Sequence, residues 1–252
     1  MILRRLTANL RAQNWTAIAI EFLIVVVGVF IGTIVANWNQ ERTAQHDTKD
    51  LLIELRPEMA RQKQFVESMR NYLASTQRYA NVAFAGWRGD RRVRDSDFVI
   101  AAYQASQAYG ISSNGQTWTT IFGGDQLRRI GDPSIRVPLQ RLMTFDNSIL
   151  SYRELATRYR NDVRLVIPDN VQQEIREKCG ETLDSNGLTL SLPATCRIDI
   201  PSATFVAAKL RAHPELIDEL AQHQGAVAAQ LINLQLFKAQ VETLDRGLAS
   251  LE

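Results

Sequence analysis

The residues that most often carry chemistry in proteins are few and widely scattered in this sequence. The three histidines, His46, His213 and His223, share no metal-binding spacing, and the two cysteines lack the second close pair of ligands that a zinc site needs. There is no G-x-S-x-G elbow, no phosphate-binding glycine loop and no His-Glu-x-x-His motif. His223 falls near the apolar seam of a predicted helix, which is typical of a structural histidine. The sequence therefore predicts no catalytic site, no metal site and no cofactor.

Cys179 and Cys196 are the only cysteines, and they flank the turn-rich segment GETLDSNGLTLSLPAT. A disulfide between them would close a loop of about 18 residues and contribute roughly 3 kcal/mol by restricting the unfolded chain. An even pair around a loop is typical of an oxidising compartment, and two unrelated thiols are the alternative. We predict a small disulfide-closed loop or hairpin.

A stretch of 15 residues near the N-terminus, FLIVVVGVFIGTIVA (22–36), carries no charge and one hydroxyl. Residues 17–20 extend it to roughly 20 residues, which is enough to cross ~30 Å of hydrocarbon. Trp15 and Trp38 bracket the stretch, where indole side chains favour the two membrane interfaces. We predict a basic arm over 1–14, a transmembrane helix over 15–38 and a folded domain over 39–252. A cleaved signal peptide is the alternative, but Ile34-Val35-Ala36 is a poor cleavage site.

The flanking charges predict the orientation of this helix. The first 14 residues hold Arg4, Arg5, Arg11 and no acid, whereas the 14 residues after Ala36 hold two basic and three acidic side chains. Because positive charge is retained on the cytoplasmic side, we predict a cytoplasmic N-terminus in a bacterial inner membrane and a periplasmic domain.

The rest of the chain has no net charge to attract a polyanion. From Trp38 onward it carries 26 basic and 26 acidic side chains, so we predict no nucleic-acid partner. The one dense basic stretch is Trp87–Arg94 (WRGDRRVR). Contact with anionic lipid or an envelope polymer is one interpretation of it, and a solvated loop, which such runs usually form, is the other.

One face of the predicted transmembrane helix carries small residues and an acid. Gly28, Gly32 and Ala36 follow a four-residue step, and Glu21 lies two turns before Gly28 on nearly the same face. Small residues let membrane helices approach closely, and a membrane-embedded acid is costly unless it is paired, protonated or near the interface. We predict a helix-helix contact along this stripe; the alternative is that Glu21 reaches the cytoplasmic surface and the glycines have no special role.

Two segments resemble a widespread family of uncharacterised bacterial single-pass proteins. Residues 21–30 (EFLIVVVGVF) and 37–42 (NWNQER) are similar to its membrane-embedded Glu, its LVV-G-like run and its Trp-Asn-Glu exit, with Gln40 where Glu is usual. Residues 118–136 (WTTIFGGDQLRRIGDPSIR) are similar to a second family segment. The matching positions there are Trp118, Gly124, Leu127, Ile130, Asp132 and Arg136, whereas Gly123 stands where a hydroxyl residue is common. The resemblance implies an anchored, mostly helical extracytoplasmic domain and no known activity.

Apolar residues recur at helical spacing over much of residues 41–252. The predicted helices are a continuation of the membrane helix through Ala85 that Pro57 kinks or interrupts, a short one from Asp95 or Ser96 to Ala108, one over Trp118–Ile130, one over Ile135–Val166, and a final heptad-patterned one opened by Pro214. Only Leu188–Leu192 has a strand-like pattern. The predicted fold class is all-α, with one transmembrane helix followed by an antiparallel helical bundle.

Without a nucleophile-base pair or a metal cluster, we expect an interaction protein and not an enzyme. The expected partners are membrane lipid and either another membrane protein or a second copy of this chain, paired through the membrane helix, with the bundle presented to an envelope partner. The alternative is an accessory sensor that binds a small molecule in the bundle and signals through a partner membrane protein.

Overall fold

The computed structural model describes residues 15–110, 125–185 and 189–251. The chain divides into two compact units, Met1–Ile53 and Glu54–Glu252. Helix α1 (Trp15–Trp87) begins in the first unit and continues as one helix into the second. Pro57 lies inside α1, so the interruption considered at that residue does not occur. A proline costs a helix one backbone hydrogen bond, and the burial of Leu55 and Met59 on either side of it stabilises the helical path.

The remaining elements belong to the second unit. They are α2 (Asp95–Gln104), α3 (Asp125–Arg129), α4 (Pro133–Met143), two 3₁₀ turns (Asn147–Leu150 and Tyr152–Leu155), α5 (Arg158–Val166), α6 (Asp169–Cys179), β1 (Thr182–Leu183), β2 (Leu190–Ser191), α7 (Ala203–Arg211), α8 (Glu215–Leu248) and a last 3₁₀ turn (Ala249–Leu251). The predicted all-α class is confirmed, since the only strands described form one two-residue antiparallel pair.

Helix α8 packs against the segment from α4 to α5, which runs antiparallel to it. The segment starts where Ser134 approaches Gly247, continues through a contact of the Phe145 and Phe237 rings at 5.1 Å, and reaches Thr157 beside His223. Residue numbers rise along one partner as they fall along the other. The heptad positions of α8 explain this packing, because Leu220, Val227, Leu234, Val241 and Leu248 are all buried.

The part of α1 in the second unit also runs antiparallel to α8. Lys63 Nζ lies 2.6 Å from Asp245 Oδ2. Lys238, two turns earlier in α8, pairs with Glu67, one turn later in α1. Beneath these half-exposed ion pairs, Met59, Val66, Met69 and Leu73 are fully buried. The core of the antiparallel bundle therefore contains the inner face of α1.

The prediction of one long helix over Ile135–Val166 is wrong. The structure has α4, two 3₁₀ turns and α5 in its place. Asp146 accepts a hydrogen bond from the backbone N–H of Ser148 at 3.0 Å, and this local bond stabilises a turn at the expense of the helix. The break also changes which side chains are inside. Leu150 and Leu155 are fully buried, whereas Tyr152, which helical spacing from Ile135 would place on the apolar face, is exposed.

Other boundaries differ from the predictions. Helix α2 ends at Gln104, short of the predicted Ala108, and Arg94 occupies its N-cap position in place of Asp95 or Ser96. Helices α6 and α7 were not predicted. Of the predicted helix over Trp118–Ile130, residues 118–124 lie outside the described residues, and Asp125–Arg129 is helical.

Candidate functional site

The first candidate site is the apolar part of α1, where the large hydrophobic side chains are exposed. From Phe22 to Val35 its large hydrophobic residues are between 42% and 69% exposed. In the most apolar 18-residue window of α1, none of the residues is buried. No other described helix is long and apolar enough to cross a membrane. A core helix of a soluble protein would bury such a face, and this one leaves it uncovered on all sides.

The predicted contact stripe lies on this exposed part of α1. A Cβ added at Gly28 or Gly32 would meet nothing within 4 Å, so no contact within the described chain explains why glycine stands there. Ala36 is exposed on the same face. Glu21 is half-buried, and within the described residues one of its carboxylate oxygens accepts no hydrogen bond.

The two predicted interface residues lie in the same helix. Trp15 is its first residue, and both Trp15 and Trp38 are exposed. The guanidinium of Arg42 lies 5.8 Å from the centre of the Trp38 ring, one turn further along. An indole with a cation beside it is the combination that favours a membrane-water interface.

The predicted disulfide is present, with 5.8 Å between the Cα atoms of Cys179 and Cys196. It closes a loop that contains the β1–β2 hairpin, in which Thr182 pairs with Ser191. Sequence reasoning missed how this loop is held. A stripe of four hydroxyl side chains in α1, at spacings of four, three and four residues, donates hydrogen bonds to this loop. Ser68 donates to Leu190 O and Tyr72 to the Glu181 carboxylate. Ser75 donates to Leu192 O and Tyr79 to Pro193 O. The periodicity was visible in the sequence, but the two tyrosines also fitted an apolar stripe.

The described part of the family-like segment forms a helix junction. Asp132 accepts a hydrogen bond from the N–H of Ser134 at 2.8 Å and caps α4, whose first residue is Pro133. Arg136 donates to Ile130 O at 3.4 Å, and Ile130 is buried while Leu127 is half-buried. Trp118 and Gly124 lie outside the described residues. The described residues of this segment therefore stabilise the turn between α3 and α4.

A buried polar centre between α5 and α8 was not predicted beyond His223 itself. The His223 ring is fully buried, and its Nδ1 lies 2.8 Å from Thr157 Oγ1. Burial is the main cause that lowers the pKa of His223 to about 4, and the positive charge of Arg160 adds to it. A hydroxyl-imidazole pair resembles the nucleophile and base of many hydrolases, but here the imidazole that would act as the base is fully buried. Its geometry therefore suits a structural hydrogen bond.

Two half-buried arginines lie next to this centre, one turn apart on α5. Arg160 donates to Ser106 O, and Arg164 donates to Gln107 Oε1 at 2.8 Å and lies over the Tyr103 ring at 4.8 Å. Burial, with Arg160 nearby, lowers the pKa of Arg164. Arg160 and Arg164 are four residues apart, each next to a buried residue, Tyr159 or Val163. This spacing is the sequence signal that places both arginines on one face of α5. Within the described ranges, both guanidiniums donate to neutral acceptors of residues 106 and 107.

Among the residues that the structure describes, no group of three or more His, Cys, Asp or Glu side chains could hold a metal ion. Comparisons with known proteins found no match: no family model, no curated protein and no solved structure is significantly similar to this chain. The resemblance to single-pass bacterial proteins therefore stays a prediction.

Proposed function

We propose that this chain is a single-pass inner-membrane protein that pairs with another membrane helix and presents its helical domain to a partner in the periplasm. The observation that supports the anchor is the uncovered apolar face of α1 over residues 22–36. Burying side chains of this kind is favourable by roughly 1.5–3 kcal/mol each, so a fully solvated stretch would be strongly disfavoured. Hydrocarbon is the environment that satisfies all of its faces at once.

The proposed pairing surface is the stripe of Glu21, Gly28, Gly32 and Ala36. Both glycines have open space beside them, which leaves room for a second helix backbone at close distance. Glu21 is the one acidic side chain of this stretch, and its carboxyl group is a polar group that can pair with a neighbouring helix. The occupant is either a second copy of this chain or a different membrane protein.

Enlarging the glycines tests the pairing. Gly28→Ile and Gly32→Ile should each weaken association measured by energy transfer between labelled chains, or by cross-linking in native membranes, because a branched side chain blocks close approach. Val26→Ile and Phe30→Leu lie on the opposite face and should leave association unchanged. Glu21→Gln should do less harm than the glycine changes, since polar contacts between membrane helices are typically worth ~0.6 kcal/mol. If both glycine variants keep the parent's partners and affinity, α1 is a tether alone.

A further inference from the structure

A cavity of about 490 Å³ lies in the second unit, at the loop closed by the disulfide. Four segments form its wall: α1, the loop between α1 and α2, α2 itself, and residues 194–197. We call it the disulfide pocket. Its volume is within the range of roughly 300–1,000 Å³ that small-molecule sites in proteins occupy.

The inner surface of the disulfide pocket is mostly apolar. Val82 of α1, Val93 of the loop, Ala101 of α2 and Ala194 contribute to it, together with Cys196 of the disulfide. Tyr79 also lines the pocket, and its hydroxyl is already used, because it donates to Pro193 O at 2.9 Å. Burial raises the pKa of Tyr79 to about 12, so the phenol stays neutral at physiological pH. The pocket therefore offers an apolar surface to the body of a ligand.

Three arginines and one aspartate supply the charge around this surface. Arg92 forms a bidentate pair with Asp90 at 3.0 and 2.7 Å, and Asp97 forms another with Arg94 at 2.9 and 2.8 Å. Arg92 and Asp90 balance each other, and Arg94 is shared between Asp97 and Asp199. Neither group therefore adds net positive charge to the pocket.

The other two arginines, Arg78 and Arg197, have no carboxylate partner within the described part of the chain. Arg78 donates to the neutral Ser75 Oγ at 2.8 Å. Both are exposed, so their guanidiniums keep donors available at the mouth of the pocket. A surplus of two guanidiniums beside an apolar surface is complementary to an anion with an apolar body, because the planar guanidinium fork matches a carboxylate or a phosphate ester.

Residues 194–197 of the pocket wall are held in position by several bonds. The disulfide joins Cys196 to the end of α6, and Ser75 Oγ donates to Leu192 O at 3.1 Å just before the wall begins. With Tyr79 bound to Pro193, the segment is held at three points within five residues. A wall held in this way is pre-organised, so little conformational entropy is lost when a ligand binds.

We propose that the disulfide pocket binds a small organic acid, with its anionic group between Arg78 and Arg197 and its apolar body against Val82 and Val93. A long polyanion is less suitable, because Arg92 and Arg94 of the basic loop are already paired with Asp90, Asp97 and Asp199. The site is separate from the membrane-helix contact proposed above, and either proposal can fail without the other.

Calorimetric titration of the full chain in a non-ionic detergent tests this site. The probes are benzoate, hexanoate and phenyl phosphate, with benzamide as the uncharged match for benzoate and inorganic phosphate as the anion without an apolar body. At least one organic anion should bind saturably, and benzamide and inorganic phosphate should each bind at least tenfold more weakly than that anion. If no organic anion binds, or if benzamide or inorganic phosphate binds as tightly, the proposal is wrong.

Substitutions locate the binding. Arg78→Gln and Arg197→Gln should each reduce the affinity for the organic anion about tenfold, because each removes one charged donor pair. Arg91→Gln is the matched control. Arg91 is an exposed arginine of the loop between α1 and α2, and it does not line the pocket. Circular dichroism checks that each variant keeps the parent's helix content. An equal loss of affinity in the Arg91 variant would show that general surface charge, and not the pocket, binds the anion.

Discussion

His223 folds in its neutral form, and this makes the stability of the helical domain depend on pH. The ring is enclosed between α5 and α8, where a positive charge would lose its hydration and lie near Arg160. In the unfolded chain the imidazole has an ordinary pKa of 6.5, and in the folded chain the pKa is about 4. Between these two values the unfolded state binds the proton more readily than the folded state does.

The sign of the effect follows from linkage. Since the folded pKa is the lower one, the stabilisation is complete above pH 6.5 and is lost as the pH falls towards 4. The shift corresponds to about 3 kcal/mol for a fully buried group. His223→Gln should keep a hydrogen bond to Thr157 and remove this dependence. Denaturant unfolding of parent and variant in the same detergent, at pH 7 and pH 4.5, measures it. An equal loss of stability in the two proteins would contradict the assignment.

The helices that could be predicted are those whose packing repeats in sequence. Helix α8 keeps a heptad pattern from Leu220 to Leu248 and is one helix. The apolar residues of α1 also recur at helical spacing, and α1 is one helix as well. Helices α6 and α7, of eleven and nine residues, give too short a pattern to separate from the turn-rich sequence around them. The break between α4 and α5 is stabilised by the hydrogen bond that the Asp146 carboxylate accepts from the N–H of Ser148, and the spacing of apolar residues carries no signal of such a bond.

The candidate sites also differ in whether the sequence predicts them. The exposed stretch of α1 and the Cys179–Cys196 pair could be found because each is defined by residue type and local spacing. The disulfide pocket could not, because Arg78 and Arg197 are 119 positions apart in sequence and line the same pocket only in the folded chain. His223 was correctly placed near the core, but its partner Thr157 lies in a segment that was predicted to be helical and is not.

Two glycines of α8 allow the same substitution to be compared at an exposed and at a buried position of one helix. Gly225 is exposed, and a Cβ there would meet nothing within 4 Å, so Gly225→Ala should stabilise the fold by up to about 1 kcal/mol through helix propensity. Gly247 is buried against α4, and a Cβ there would lie 2.7 Å from Ser134 O. Gly247→Ala should therefore destabilise, because the two helices must separate.

Denaturant midpoints of the two variants give the comparison, with each acting as the control for the other. The same residue change in one helix should move the midpoint up at position 225 and down at position 247. If Gly247→Ala is also stabilising, the close approach of α4 and α8 at Ser134 is not a feature of the folded protein.

At the scale of the whole molecule, the candidate membrane helix and the disulfide make the same prediction about location. An anchor with three arginines and no acid before it, and more acidic than basic side chains just after it, predicts a domain outside the cytoplasm. A disulfide is maintained where the surroundings are oxidising. Either feature could stand without the other: a cytoplasmic domain would expose Cys179 and Cys196 to reducing conditions, and a protein without an anchor could still carry a disulfide. Agreement between them is therefore informative, and a single experiment in cells addresses both.

The experiment is to add a membrane-permeable, mass-shifting thiol reagent to intact bacteria that make the full chain. With the domain in the periplasm, the parent should take up no label unless it is first reduced, and Cys179→Ser should take up one label at Cys196. A reporter that is active only outside the cytoplasm, fused after Glu252, should be active in the same cells. Labelling of both cysteines without prior reduction, together with an inactive reporter, would place the domain in the cytoplasm. The periplasmic partner would then be excluded, whereas the membrane pairing of α1 would still stand on its own test.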